Sequence, residues 1–361
     1  MNQNILMRKY TSLVLISAAL LSCKKETQTI TKVDPVTGKT ITVEVPVTES
    51  DSTENVVNEV AVAPAISNNN GVYVQTFKLE KGKTYPLITY QKDVQTVTSP
   101  DGKSQSGTNE TTDEMSFTVN DFVNGVYDIS INLVGKKNSQ SANGKSVAID
   151  SKAAEPKDEQ LKMMWKMNKA LAGNKLNLKM DENGKVISIS GFEPIYTKVN
   201  AALTSSVKDA ATRTQFLNSV KSSFNEKVLR EQFSKNLILL PAKGVKVGDK
   251  WTQTENATPD GKVKITTNYT LKSVGNGVVV VAVAGGIPAK TDKKTQEGIT
   301  RTLNSQLTQN GTITLDQNTG WIKNQNISVK TVQAETLSDG KETQTMKSVS
   351  NSSVMVNPAG K

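Results

Sequence analysis

The stretch that decides the fold is Met115-Ser116-Phe117-Thr118-Val119, followed after the turn Asn124-Gly125 by Val126-Tyr127-Asp128-Ile129-Ser130-Ile131. In both segments apolar and polar residues alternate, which is the period of a strand with one buried face. Asn-Gly favours a two-residue hairpin turn, because both residues adopt positive φ readily. The stretch therefore predicts an antiparallel hairpin that turns one row of apolar side chains toward a core.

Similar blocks occur a second time in the chain, in the same order. Order and spacing favour a duplicated β unit, although hairpins share Gly and Asn turns in any case. We expect two curved antiparallel sheets that pair about a pseudo-twofold axis. The matched blocks are Gly82-Lys83-Thr84-Tyr85 with Gly248-Asp249-Lys250-Trp251, Phe117-Thr118-Val119 with Tyr269-Thr270-Leu271, Asn124-Gly125 with Asn276-Gly277, and Asp181-Glu182-Asn183-Gly184 with Asp316-Gln317-Asn318-Thr319-Gly320.

Between the two β units the apolar residues recur at helical spacing. Residues 158–172 predict a first helix that Gly173 ends, and Pro194 suits the first turn of a second. Residues 216–224 predict a third, and Asn225 can cap a fourth that ends before Pro241.

These patterns predict an α+β fold, with curved antiparallel β-sheets from two pseudo-repeated β units and a central helical segment that covers one face. The apolar run at residues 278–283 predicts a strand covered on both faces. The predicted organisation is a signal peptide at 1–22, a lipidated cysteine with a flexible tether at 23–70, and one domain at 71–361. Within that domain we expect a first β unit with a helix at 72–191, a helical segment at 192–240 and a second β unit at 241–356.

The N-terminal stretch has the three parts of a bacterial lipoprotein leader. Arg8 and Lys9 give a positive n-region, residues 11–21 give an apolar h-region, and Leu20-Leu21-Ser22-Cys23 resembles a lipobox. Cys23 is the only cysteine, and we predict that it carries the lipid. An ordinary signal peptide that ends near a cysteine is the alternative. The apolar run is about half of the ~20 residues that a membrane-spanning helix needs.

Lipidation of Cys23 makes the membrane a predicted partner, since two or more acyl chains anchor a protein stably. Lys24 follows the cysteine where an Asp would resemble an inner-membrane retention signal, so we expect the outer membrane, with the leaflet left open. The tether is rich in Thr, Val, Glu and Ser and predicts a flexible coil. Within it, residues 35–38 predict a turn and residues 40–45 a short hairpin arm.

The composition excludes several kinds of chemistry. The sequence has no histidine, which removes the Ser-His-Asp arrangement and the commonest transition-metal ligand. The formal net charge of +10 is dispersed without a long basic run, and aromatics are 5%, so neither a nucleic-acid surface nor a sugar-stacking surface is predicted. The charge indicates a solvated surface or, alternatively, attraction to anionic envelope surfaces.

Acidic pairs are the remaining candidates for catalysis. Asp113-Glu114 and Asp158-Glu159 could serve a glycosidase, but a loop or helix start explains both pairs. Asp181-x-Asn183 and Asp316-x-Asn318 are too short for a calcium loop and predict hairpin turns. The sequence therefore assigns no catalytic, cofactor-binding or metal-ligating residue, and its single predicted site residue is Cys23, for lipid attachment.

Residues 241–251 read P-A-K-G-V-K-V-G-D-K-W. This block resembles P-x-K-x-V-x-V-G-D-x-W in an uncharacterised family of bacterial lipoproteins, and the resemblance covers about residues 75–350. It implies a shared fold and no assigned activity, so no catalytic or binding residue carries over. The residues themselves predict structure, because Gly248-Asp249 turns into a strand and Trp251 fills the core, as Tyr85 does in the first unit.

Our first functional hypothesis is a non-enzymatic envelope lipoprotein that binds an apolar ligand or a partner protein between its sheet and helices. The alternative is a structural or cell-surface interaction protein without a ligand cavity, and the third is a hydrolase built from carboxylates or from Ser and Lys. A cavity of roughly 300 Å³ or more beneath the helices would separate the first two hypotheses. An enzyme would instead show convergent carboxylates with perturbed pKa values.

Overall fold

The computed structural model describes residues 27–33, 40–46, 63–258 and 261–358. Two of these segments form a hairpin of their own, in which β1 (Thr27–Val33) pairs antiparallel with β2 (Thr40–Pro46). The predicted hairpin arm at residues 40–45 is thereby confirmed. The predicted leader, Cys23 and most of the predicted tether lie outside the described residues.

The described residues from 63 onward form one compact unit of strands and four helices. Its strands are β3 (Ile66–Asn69), β4 (Val72–Gln75), β5 (Thr84–Thr98), β6 (Ser104–Val123), β7 (Val126–Ala142), β8 (Lys145–Asp150), β9 (Asn174–Asp181), β10 (Val186–Ser190), β11 (Lys250–Asn256), β12 (Lys264–Gly275), β13 (Val278–Gln296), β14 (Ile299–Asp316), β15 (Ile322–Ser338) and β16 (Thr343–Val356). Its helices are α1 (Glu159–Leu171), α2 (Phe192–Ser206), α3 (Ala210–Ser223) and α4 (Glu226–Leu237).

One antiparallel sheet contains all of these strands except β3 and β4, which pair with each other. The strand order is β10-β9-β7-β6-β5-β16-β15-β14-β13-β12-β11, and β8 pairs with the far part of β7. The predicted α+β class is confirmed. β3 lies within the stretch that the sequence predicts as tether.

The two β units form one continuous sheet, and the expectation of two separate sheets is wrong. β16 ends the second unit and β5 begins the first, and these two strands hydrogen-bond along their length. The strand order runs from β11 to β16 and then from β5 to β10, so both units progress in the same sense across the sheet. They are therefore related by a shift along the sheet, and pairing at the junction satisfies two strand edges.

The internal repeat extends to the register of the strands. Tyr85 lies opposite Phe117 in the first unit, and Trp251 lies opposite Tyr269 in the second. In both units a register shift then precedes the Asn-Gly turn, whose first residue has a φ of 52°. Equal register, equal bulge and equal turn geometry support a duplicated unit.

The helices cover one face of the sheet, which we call the helix face. Ile131 and Leu176 of the sheet and Val199 of α2 are fully buried there. Phe233 of α4 meets Phe117 edge to face, with ring centroids 5.4 Å apart. The predicted cap is confirmed, because the side chain of Asn225 accepts a hydrogen bond from the N–H of Val228 at 3.0 Å. We call the opposite side of the sheet the open face.

Helix α4 reaches both edge strands of the sheet. The N–H of Ile189 in β10 donates to Glu226 at 3.3 Å, and Lys235 near the other end of α4 pairs with Glu255 of β11 at 3.0 Å. Both ends of the strand order are thus close to one helix, and the sheet must curve strongly to bring them there.

Glycines permit this curvature where neighbouring backbones approach closely. At Gly311 in β14, a Cβ atom would lie 2.1 Å from the carbonyl oxygen of Asn326 in β15. At Gly285 and Gly286 in β13, a Cβ atom would come equally close to the backbones of β12 and β14. A side chain at these positions would force the strands apart.

Candidate functional site

A groove of about 330 Å³ lies where the two β units join, across four central strands. Lys92 and Val94 of β5 alternate with the core residue Leu87, which places them on the open face. The other lining residues are Thr308 and Asn310 of β14, Ser328, Val329 and Lys330 of β15, and Asn351, Ser352 and Ser353 of β16.

The registers of the three strand pairs assemble these side chains into two rows. One row runs Asn310, Ser328, Ser353 and Lys92, and the other runs Thr308, Lys330, Asn351 and Val94. In the centre of the first row, two serines stand side by side between longer neighbours. Because serine has a short side chain, the surface is depressed between these longer neighbours.

The groove carries two lysine ammonium groups in different electrostatic states. Lys92 is paired with Glu110 of β6 at 2.8 Å, and this hydrogen bond raises the pKa of Lys92. Burial and the same carboxylate raise the pKa of the Tyr90 phenol beside it. Lys330 is exposed, and no carboxylate lies within salt-bridge distance of it among the described residues. The groove therefore has one neutralised and one unneutralised cation.

The lining is suited to binding through hydrogen bonds and charge. Hydroxyl and amide side chains dominate it, only Val94 and Val329 are apolar, and the lining residues include no acid, histidine or cysteine. Apart from the serines, the only lining residues that could act as a general base are the two lysines. A ligand here would be held by hydrogen bonds and charge.

The layer between the helices and the sheet, where we expected an apolar ligand, is filled by side chains. Leu203 of α2 and Leu229 of α4 are buried there against Ile129 and Leu178 of the sheet. The groove lies on the other face. The apolar-ligand hypothesis stays a prediction.

Asp113-Glu114, one of the candidate acidic pairs, is divided between the two faces of the sheet. Asp113 is fully buried on the helix face, with one carboxylate oxygen 2.7 Å from Lys136 and the other without a hydrogen-bond partner. Burial raises the pKa of Asp113 to about 6, against the lowering effect of Lys136. Glu114 points to the open face and pairs with Lys152. The pair cannot converge on one substrate.

The other acidic candidates have local roles. Asp158 accepts a hydrogen bond from the N–H of Leu161 at 3.2 Å and so caps the start of α1. Asp181 and Asp316 each accept backbone N–H groups within their own turns, which confirms the hairpin-turn interpretation. Within the described part of the chain, no group of three or more acidic residues could hold a metal ion.

Trp251 is less central than the sequence predicts. It stacks on Tyr269, with centroids 5.5 Å apart and planes 13° apart, and packs against the core while remaining partly exposed. Trp321 takes the central place instead. It is only 3% exposed, and its ring lies 5.1 Å from Phe117 and 5.5 Å from Tyr85.

The sequence pattern of a family of unknown function, DUF6263, matches residues 124–322, which is more than half of the chain. The chain belongs to this family. The match extends from the β6–β7 turn to the start of β15, so it contains the helices and much of both β units. Membership supports an uncharacterised domain and assigns no activity to it.

No curated protein matches the sequence. A structure of lipovitellin, described as showing lipid–protein interactions, aligns with 79% of this chain at 13% identity and a TM-score of 0.30. This chain spans about a quarter of that protein, 26% of its length. An outer membrane channel from Pseudomonas putida F1 aligns with 77% of this chain and 97% of its own, at 8% identity and a TM-score of 0.18. TM-scores this low do not indicate a shared fold.

In the described part of the chain, none of the helices combines the length and the apolar character that crossing a bilayer requires.

Proposed function

We propose that this protein is an outer-membrane lipoprotein, anchored through Cys23, whose domain binds a polar ligand in the groove on its open face without catalysing a reaction. The observation that carries the proposal is the composition of the groove. Seven of the eight side chains in its two rows end in a hydroxyl, amide or ammonium group, and they converge from four strands onto one depression.

The position of the groove supports a binding role. It lies at the centre of a sheet whose strands are fixed on both sides, so its side chains start from a rigid platform. The helices lie on the other face, which leaves the open face accessible to a large ligand. An envelope protein or a polysaccharide could both reach it from the membrane surface.

The absence of catalysis is part of the proposal. Asp113 has the strongly raised pKa that is typical of a catalytic acid, but it is sealed from solvent beneath the helix side of the sheet. Because no substrate can reach it there, we assign Asp113 no catalytic role. The lining residues of the exposed groove, conversely, include no carboxylate, histidine or cysteine.

Site-specific photocrosslinking in cells tests the location of the binding site. A photoreactive residue at Asn351, in the groove, should give adducts in the envelope. The same residue at Ser190 is the control, because it is exposed on edge strand β10, several strands away. Adducts from Ser190 that equal those from Asn351, or none from Asn351, would contradict the proposed binding face.

A further inference from the structure

We infer that the groove recognises a carboxylate-bearing glycan, with the acidic group of the sugar held at Lys330. This inference rests on the proposed function and adds the class of ligand to it. It follows from the charge, the hydrogen-bonding groups and the missing aromatic and apolar surface of the groove.

The lining of the groove is positively charged. The lining residues include two lysines and no acid, so the groove favours an anion. Glu110 already neutralises Lys92, whereas Lys330 has no carboxylate within salt-bridge distance among the described residues. A carboxylate in the groove would therefore bind best at Lys330. The ion pair of Lys92 and Glu110 then offers both donors and acceptors to neighbouring hydroxyl groups.

The uncharged side chains of the groove can hydrogen-bond to a ligand over a wide area. Thr308, Asn310, Asn351 and the two adjacent serines present donors and acceptors in a field that crosses three strand-to-strand spacings, roughly 14 Å. Sugar hydroxyls are donors and acceptors at similar density. A short oligosaccharide laid across the strands would meet such groups at each spacing.

The groove lacks the aromatic and apolar side chains that would favour a neutral glycan or an apolar peptide. No aromatic side chain lines the groove, so a neutral glycan would have only solvent-exchanged hydrogen bonds to hold it, and these contribute little each. Val94 and Val329 are the only apolar lining residues, which leaves no pocket for the apolar side chains of a peptide. We therefore infer that the carboxylate of the ligand provides most of the affinity and that its hydroxyl groups provide the specificity.

Calorimetry on the purified full chain tests this inference with defined polymers. Polygalacturonate should bind, whereas neutral dextran and poly-glutamate should bind at least about tenfold more weakly. Lys330→Gln should weaken polygalacturonate binding about tenfold, the value of one charge-assisted hydrogen bond. Glu110→Gln should strengthen it several-fold, because it releases Lys92.

Lys293→Gln is the matched control, since it removes the same charge from an exposed position on β13 away from the groove. If Lys293→Gln weakens binding as much as Lys330→Gln, the attraction is diffuse and the inference is wrong. Equal binding of poly-glutamate would indicate an acidic peptide and overturn it as well. If no acidic polymer binds while crosslinks from Asn351 persist, the glycan inference fails and the proposed function stands.

Discussion

The ammonium group of Lys136 lies 2.7 Å from Oδ1 of Asp113, while Oδ2 of the same buried carboxylate has no hydrogen-bond partner. A buried charge of this kind is only half compensated, since one oxygen has lost water and gained nothing. Burial therefore raises the pKa of Asp113 to about 6 from its ordinary value of 3.8, although Lys136 acts in the opposite direction.

This pair predicts that the contribution of Asp113 to stability rises as the pH falls. Between pH 6 and 3.8 the folded chain binds a proton at Asp113 that the unfolded chain does not, so stability is gained as the pH falls through 6 and is complete below 3.8. The gain is about 1 kcal/mol from pH 7 to pH 5 and about 3 kcal/mol in full. Denaturant unfolding of wild type and Asp113→Asn across this range measures it.

The difference between the two unfolding free energies isolates Asp113 from the other titrating groups. Asp121→Asn is the control, because Asp121 is exposed and Lys81 lowers the pKa of its carboxyl. That variant should retain the gain toward pH 5. Parallel pH curves for wild type and Asp113→Asn would show that the buried carboxylate is not destabilising.

Gln75 is a second buried polar group, and it is fully satisfied. Its Nε2 donates to the carbonyl oxygens of Leu237 and Gly320 at 2.8 and 3.0 Å, and its Oε1 accepts from the N–H groups of Leu239 and Leu240 at 2.8 and 3.1 Å. We expect Gln75→Leu to destabilise the fold strongly, because each buried backbone group left unpaired costs about 1–3 kcal/mol. Denaturant unfolding measures the loss.

Two further variants test whether the hydrogen bonds of Gln75 are the cause of this loss of stability. Gln75→Glu keeps the shape but replaces the NH₂ donors with a carboxylate, and it should be at least as destabilising. Gln306→Leu, at an exposed position of β14, should change the unfolding free energy by less than about 0.5 kcal/mol. A small effect of Gln75→Leu would mean that water replaces the amide.

The aromatic cluster predicts that Trp321 contributes more to the stability of the fold than Trp251 does. Trp321 is buried against Tyr85 and Phe117, and its indole N–H donates to the carbonyl of Pro86 at 3.1 Å. We expect Trp321→Ala to cost about 3–5 kcal/mol and Trp251→Ala less, because Trp251 remains partly exposed on an edge strand. Chemical denaturation of the two variants compares them. An equal or larger loss for Trp251→Ala would restore it as the main core residue.

Local patterns predicted most elements of this fold, because periodicity and turn chemistry act within a few residues. The Asn124-Gly125 hairpin and the four helices are examples. The joining of β16 to β5 was not predictable, since it pairs the chain end with its beginning and no local signal specifies it. The prediction that the strand at residues 278–283 is covered on both faces is wrong, because its alternate residues are buried and half-buried.

The groove could not be predicted from the sequence either, because it also depends on the pairing of strands that are distant in the chain. Lys92 and Lys330 belong to different β units, and only the β5–β16 and β15–β16 registers bring them to one depression. Taken singly, each resembles an ordinary exposed lysine. The sequence explains the acidic pair Asp113-Glu114 by a loop or helix start, and this explanation is wrong, because both residues lie within β6, where strand alternation sends their side chains to opposite faces.

Membrane attachment is a separate prediction that depends on the leader. We expect Cys23→Ala to leave the protein unprocessed or to release it from the membrane fraction, because no other cysteine is available for lipidation. Fractionation and metabolic labelling with a fatty-acid analogue measure the effect, and Ser22→Ala is the control because it keeps a small residue before the cysteine. A Cys23→Ala protein that is processed and remains in the outer membrane would exclude this anchor.

The strand pairing of β14 with β15 depends on Gly311, whereas Gly275 in β12 has space around it. A Cβ at Gly311 would lie 2.1 Å from the carbonyl oxygen of Asn326, whereas a Cβ at Gly275 in β12 would meet no atom within 4 Å. Neither residue has the positive φ that favours glycine, so replacing each by alanine compares space alone. We expect Gly311→Ala to destabilise the fold by about 1–3 kcal/mol or more, because adjacent strands must separate, and Gly275→Ala to be nearly neutral. Denaturant unfolding of both variants decides the matter: equal stabilities would mean that β14 and β15 have room to spread.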